Sequence, residues 1–176
     1  MYFDETIKNE FDAIVVGSGI SGGWAAKELC EAGLKTLVLE RGRMVKHIEN
    51  YPTMHNDPWD LPYNSKTPNA IVEKHYSKQK RWGFDENNRH FYNKDSEHDY
   101  DEIKPFDWIR GKQVGGRSLI WGRQSYRWSD LDFEANAKDG YGVDWPIRYK
   151  DIDPWYSHVE RFIGISGEKL GLPQLP

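Results

Sequence analysis

The sequence predicts an α/β fold: a Rossmann-like strand–helix–strand dinucleotide grip, a long irregular insertion, and a sheet left incomplete. Three observations predict it. An apolar run leads through a glycine-rich turn into a helical stretch, and a second apolar run then ends in a carboxylate. The aliphatic residues crowd into residues 11–40. The aromatic ones sit mostly after residue 50, in a stretch with no long helical period.

Residues 11–17, FDAIVVG, form an apolar run of the kind expected of a strand buried on both faces. The turn Gly17-Ser18-Gly19-Ile20-Ser21-Gly22-Gly23 follows. In the helical stretch WAAKELCEAG, a buried stripe of Trp24, Ala25, Leu29 and Cys30 is expected, with Ala26 on its edge and Gly33 at the stop. Residues 34–40 then make a second strand ending at Glu40. Gly17 lets the chain turn sharply, Gly19 lets backbone approach a pyrophosphate, and Gly22 lets the helix pack close to the strand. Unpaired amides and the positive dipole end at the helix start suit phosphate. The candidate pyrophosphate grip is therefore Gly17, Ser18, Gly19, Ile20, Ser21 and Gly22. Glu40 stands 18 residues beyond Gly22, where a carboxylate accepts hydrogen bonds from a ribose and repels a 2′-phosphate. A dinucleotide is expected here. These residues alone leave NAD and FAD open, as they do a non-catalytic nucleotide-binding module.

Residues 43–110 are rich in turn-formers, among them Asn50, Pro52, Pro58, Pro62 and Pro68. Two pieces, 71–76 and 89–93, are expected to be extended and to pair as a hairpin around RWGFDENN. The acidic residues from Asp95 through Asp99 to Glu102 lack the turn glycine and closing glutamate of a calcium loop, so a solvated acidic loop is expected. The aromatics of this stretch (Trp59, Tyr63, Tyr76, Trp82, Phe84, Phe91, Tyr92, Trp108) are expected to pin loops to the surface. An irregular stretch of this length suggests a cover over a ligand.

A second glycine cluster, RGKQVGGRSLIWGRQSYRW, spans residues 110–128. Paired glycines at 115 and 116 permit close backbone approach, and a following serine can donate to phosphate or ribitol oxygens. By itself the cluster fits a structural turn equally well.

Together these motifs resemble the glucose–methanol–choline (GMC) oxidoreductases. The opening GSGISGGWAAKELCEAGLKTLVLERG is similar to the family's FAD-binding unit, and GKQVGGRSLIWG to its first signature, where a Gly-Gly-Ser turn runs beneath the flavin. DGYGVDWPIRYKDIDPWYSHVERFIGISG resembles the stretch that follows. Arg117 precedes Ser118 where the family has two small residues, and Trp121 stands where it commonly has Asn or His. The resemblance implies FAD as cofactor, with Gly115, Gly116, Ser118, Trp121 and Gly122 on the flavin side and Arg41 near the adenine end. It implies oxidation of an alcohol or sugar CH–OH group by hydride transfer to flavin, with a histidine base contributed by sequence beyond this chain. No catalytic residue is assigned here, and His158 is expected to be a surface or packing residue. The closest branch in character is the bacterial sugar and choline dehydrogenases, in which an electron-acceptor subunit is a candidate partner.

The organisation expected is a partial FAD-binding domain over 1–176. It comprises the grip (11–42), an irregular cover (43–110), the second glycine turn (111–128) and a connecting segment (129–176). Two strands cannot complete a Rossmann sheet, so the chain is expected to be the N-terminal part of a larger enzyme. Composition agrees with this. Hydrophobic residues make up only 38% while aromatics reach 14% with eight tryptophans, so part of the core is expected from elsewhere. A net charge of −4 argues against nucleic acid. A mean hydropathy of −0.84 with no apolar stretch of about 20 residues argues against a membrane span. The acidic opening MYFDETIKNE is unlike a signal peptide, which favours the cytoplasm, with export alongside a signal-bearing partner as the alternative. The single Cys30 excludes an internal disulfide, and the six histidines lack metal-ligand spacing.

Overall fold

The computed structural model describes residues 10–79, 83–98 and 100–176. Residues 1–9, most of the acidic opening, lie outside them, as do Arg81 and Trp82 of the expected hairpin and Asp99 of the acidic stretch. The chain divides after Gly122 into two compact units.

In the first unit, β1 (Ala13–Val16) and β2 (Thr36–Leu39) pair in parallel, joined by α1 (Ile20–Glu31). The register sets Ala13 opposite Thr36 and Val16 opposite Leu39. The ladder is lengthened by Gly17 donating to the Leu39 carbonyl at 2.7 Å and Asp12 to that of Lys35 at 2.9 Å. α1 ends where glycine permits it. Gly33 adopts φ +85°, its amide donates to the Cys30 carbonyl, and the Leu34 amide reaches back to Leu29.

Two expectations for this unit are corrected. β1 is not buried on both faces: Val15 is buried, but Ile14 and Val16 are 61% and 82% exposed. Side chains alternate across a strand, and α1 covers the Val15 face while nothing among the described residues covers the other. The inner stripe of α1 is also different. Ala25 and Cys30 are exposed, and the half-buried residues are Gly22, Trp24, Ala26, Lys27 and Leu29. Contact between Gly22 and β1 fixes the rotation of the helix, because a Cβ there would sit 2.0 Å from the Gly17 carbonyl oxygen and 3.3 Å from Val15 Cγ1.

The expected hairpin is absent too. Residues 69–75 form α2 (Asn69–His75), and Arg89–Phe91 is a 3-10 turn. Pro68 supplies a preset φ of −58° and a carbonyl that accepts from both Ile71 and Val72, which starts the helix. Before Arg89, the Asp85 carboxylate accepts from the amides of Asn87 and Asn88, curling the backbone away from a ladder. The acidic stretch is likewise not wholly solvated. Asp95 is turned inward, accepting from the Lys78 amide at 2.8 Å and from Gln79 Nε2 at 2.7 Å.

Among the aromatics, Tyr76 and Tyr92 are buried and sandwich Phe84, each with its ring centre 5.0 Å away. Trp59 and Tyr63 are exposed and pin nothing inward. Three buried amide side chains organise the segment that leads to the second glycine cluster. Gln79 accepts from the Arg110 amide and donates to the Trp108 carbonyl. Asn93 accepts from Lys112, and Gln113 donates to the carbonyls of Phe91 and Gly116. They replace ladder partners for a stretch whose one β-bridge joins Arg43 and Gln113.

The second unit has three helices: α3 (Asp130–Phe133), α4 (Ala135–Asp139) and α5 (Tyr149–Ile163). Ser129 and Asp132 form a capping box at the start of α3. Phe133 is buried against Trp128 and Trp145. Arg127 fastens its segment to α5 through a two-pronged bond to Glu160 and further bonds to Asp153, Ser157 and Tyr149. The Glu160 carboxylate first, then the Tyr149 hydroxyl, holds the Arg127 pKa above its ordinary value. His158 is exposed on α5. Among the described residues, no helix is long and apolar enough to cross a membrane.

Candidate functional site

The site is built where β1 hands over to α1. Gly17 adopts φ +91°, a left-handed conformation that turns the chain out of the strand. Gly19 is the N-cap of α1 and offers no side chain to the first-turn amides. A Cβ at Gly19 would meet nothing within 4 Å, so open space lies beside it. The first turn of α1 carries no acidic residue. The amides at Ile20, Ser21 and Gly22 are therefore uncapped donors at the positive end of a helix, a combination that attracts anions.

Glu40 follows β2 and reaches the same place. Its Oε2 accepts from the Ser18 amide at 2.9 Å and the Ser18 hydroxyl at 2.6 Å, and its Oε1 from the Gly42 amide at 2.7 Å. The Ser18 hydroxyl, then the amides of Ser18 and Gly42, hold the Glu40 carboxyl below the usual carboxylate range. Glu40 is thus an oriented anion, with lone pairs remaining for further donors. Arg41 beside it is exposed. Burial first, then the charges of Arg41 and Arg110, hold the Lys112 pKa below its ordinary value.

The second glycine cluster comes to the first. The Gly115 amide donates to Ser18 Oγ at 3.1 Å, and a Cβ on Gly116 would stand 3.4 Å from Gly19 Cα. Gly115 and Gly116 both have positive φ, at +89° and +52°, and open the 3-10 turn Gly116–Leu119. Ser118 Oγ donates to the Gly115 carbonyl at 2.5 Å, which spends its proton on the turn and leaves its lone pairs to accept. Ile20, Ser21, Trp121 and Gly122 are exposed. Gly17 to Gly22, Glu40, Gly115, Gly116 and Ser118 are thus brought together in one place. Trp121 and Gly122 follow that turn in the chain, without a hydrogen bond to the grip.

Sequence reasoning passed over Gly42. A Cβ there would lie 2.4 Å from the Gln113 amide nitrogen and the Lys112 carbonyl carbon, so only glycine lets residues 112–113 run alongside the end of β2. It also passed over Gln79, Asn93 and Gln113. The signal available was weak: one glycine just after the strand-ending acid, and amides scattered through an aperiodic stretch.

No family model matches the chain. Curated relatives match almost all of it. A 2-methyl-1,2-propanediol dehydrogenase from Mycolicibacterium austroafricanum is 28% identical over 97% of this chain and 27% of its own length. The fructose dehydrogenase large subunit of Gluconobacter japonicus is 26% identical over 89% of this chain and 27% of its own. A gluconate 2-dehydrogenase flavoprotein from Pantoea cypripedii is 29% identical over 92% of this chain and 27% of its own. The chain therefore spans about a quarter of the length of these relatives.

Proposed function

We propose that this chain, a member of the glucose–methanol–choline oxidoreductases by its relatives and its two glycine motifs, supplies the FAD grip of an enzyme oxidising an alcohol or sugar CH–OH group. The observation that carries the reading is the meeting of the two glycine turns at Ser18, beside an uncapped helix start and an oriented carboxylate.

The residues present fit the cofactor. Uncapped amides at Ile20, Ser21 and Gly22 suit a diphosphate, and the space beside Gly19 is what a Cβ would fill. Glu40 is held ready to accept from ribose hydroxyls, with Arg41 at the adenine end. Gly115 and Gly116 present backbone without side chains on the flavin side, with Ser118, Trp121 and Gly122 following. When bound, FAD supplies the two-electron acceptor for a hydride leaving the alcohol carbon. The chain's own contribution is to bind and to orient, through helix-start amides and a carboxylate that its own hydrogen bonds hold in place. The Rossmann character of the grip belongs to this proposal, as does an electron-accepting partner subunit, which the large-subunit name of the fructose dehydrogenase relative supports.

The test is the absorbance spectrum of the full-length protein reconstituted with FAD, followed by anaerobic mixing with a panel of alcohols and sugars. Flavin bands that bleach with one of them are expected. A protein that takes up no flavin refutes the cofactor assignment, and a flavin that no alcohol or sugar bleaches refutes the substrate class.

A further inference from the structure

We propose that Ser18 is a positioning residue, whose hydroxyl stitches the second glycine turn to the first by giving its proton to Glu40 and accepting the Gly115 amide. Its effect on cofactor affinity rests on the FAD reading above; the stitch itself does not.

A serine hydroxyl has one proton to give and lone pairs to accept with. At Ser18 the proton and one lone pair are committed inside the chain. The proton goes to Glu40 Oε2 at 2.6 Å, and the oxygen receives the Gly115 amide at 3.1 Å, from 97 residues away. The Ser18 amide adds a second donor to the same carboxylate oxygen, and Gly42 holds the other oxygen. The chain Gly115 N–H to Ser18 O–H to Glu40 carboxylate thus runs in one direction and ends on a charge. A hydroxyl polarised by a carboxylate is a better acceptor for the next donor along. Gly115 sits at φ +89°, so this bond fixes a residue whose backbone would otherwise have unusual freedom. Beside it, a Cβ on Gly116 would come within 3.4 Å of Gly19 Cα, so the two turns are near neighbours at this point.

Alanine at position 18 can neither give nor accept. It frees the Gly115 amide and removes one of the donors orienting Glu40, so the ends of the grip that would hold ribose and flavin lose their common reference together. Threonine keeps the hydroxyl.

The experiment compares the wild type with Ser18→Ala and Ser18→Thr in the full-length protein, by two readouts. The first is amide hydrogen exchange at Gly115 after FAD has been removed. Exchange is expected to be slow in the wild type and roughly tenfold faster in Ser18→Ala, as for the loss of a hydrogen bond within a charged network. The second is the FAD dissociation constant, expected to rise roughly tenfold or more in Ser18→Ala and to be restored by threonine. Unchanged Gly115 exchange in Ser18→Ala overturns the proposal, and so does alanine binding FAD as tightly as the wild type. Should the alanine variant fail to fold, the wild type alone decides: Gly115 exchanging at the rate of an open loop overturns the stitch, and protection supports it. Faster Gly115 exchange in Ser18→Ala, in a protein that takes up no FAD, leaves the stitch standing and removes the cofactor reading.

Discussion

Replacing Gly22 by alanine probes the close approach of the start of α1 to the end of β1. The added Cβ would lie 2.0 Å from the Gly17 carbonyl oxygen, where ordinary contact begins at 3.4 Å. The obstacle is backbone, so no side chain can swing aside, and the start of the helix has to retreat by about 1.4 Å, the difference between those two distances. Overpacking of this kind costs about 1–3 kcal/mol. The retreat carries the first-turn amides with it, so the donors that would meet a diphosphate lose their place. Gly23 is the control, since a Cβ there meets only the Ser18 carbonyl oxygen at 4.0 Å. Alanine at 23 should stabilise the helix by about 0.5–1 kcal/mol. The assay is FAD titration of both variants in the full-length protein, with urea unfolding alongside. Gly22→Ala should bind FAD more weakly by roughly tenfold or more, as for lost hydrogen bonds to a charged group, and unfold earlier, while Gly23→Ala binds as the wild type and unfolds later. Equal behaviour of the two neighbours would refute the packing argument.

Two further outcomes are expected. Glu40 has its folded-state pKa depressed by the Ser18 hydroxyl and the neighbouring amides. Its contribution to stability is therefore fully present above the unfolded carboxyl pKa and is lost as pH falls through the folded one. Glu40→Gln should flatten that acid limb in unfolding curves taken at successive pH values, and an unchanged limb would show that the carboxylate is not held as described. Gln79→Ala should destabilise the first unit by roughly 3–5 kcal/mol, because it empties a fully buried position and strands the Arg110 amide and Trp108 carbonyl. A urea midpoint within error of the wild type would deny the amide that bracing role.

The strand–helix–strand unit was legible in the chain because its signals are local. A strand, a glycine turn and a helix stop are each specified within a few residues, and Gly17, Gly22 and Gly33 act where their spacing says they should. The hairpin expected at 71–76 and 89–93 failed for an equally local reason: Pro68 and Asp85 direct the backbone more strongly than the β-branched pair at 71 and 72. Burial could not be obtained the same way. Which residues of α1 face inward depends on how closely Gly22 meets Gly17, and whether Ile14 and Val16 are covered depends on what packs over them.

By itself, then, the sequence determined the strand–glycine-turn–helix–strand unit, the acid that follows it at residue 40 and a second glycine turn. The tertiary structure alone decided that the turn at 115 meets the turn at 17, across 97 residues, through one hydroxyl. It alone made Gly42 indispensable and gave buried amides the task of bracing an extended segment. The physical reason is that conformational preferences are set by neighbours along the chain. Hydrogen-bond satisfaction and close approach are set by neighbours in space, which come together only once the chain has folded.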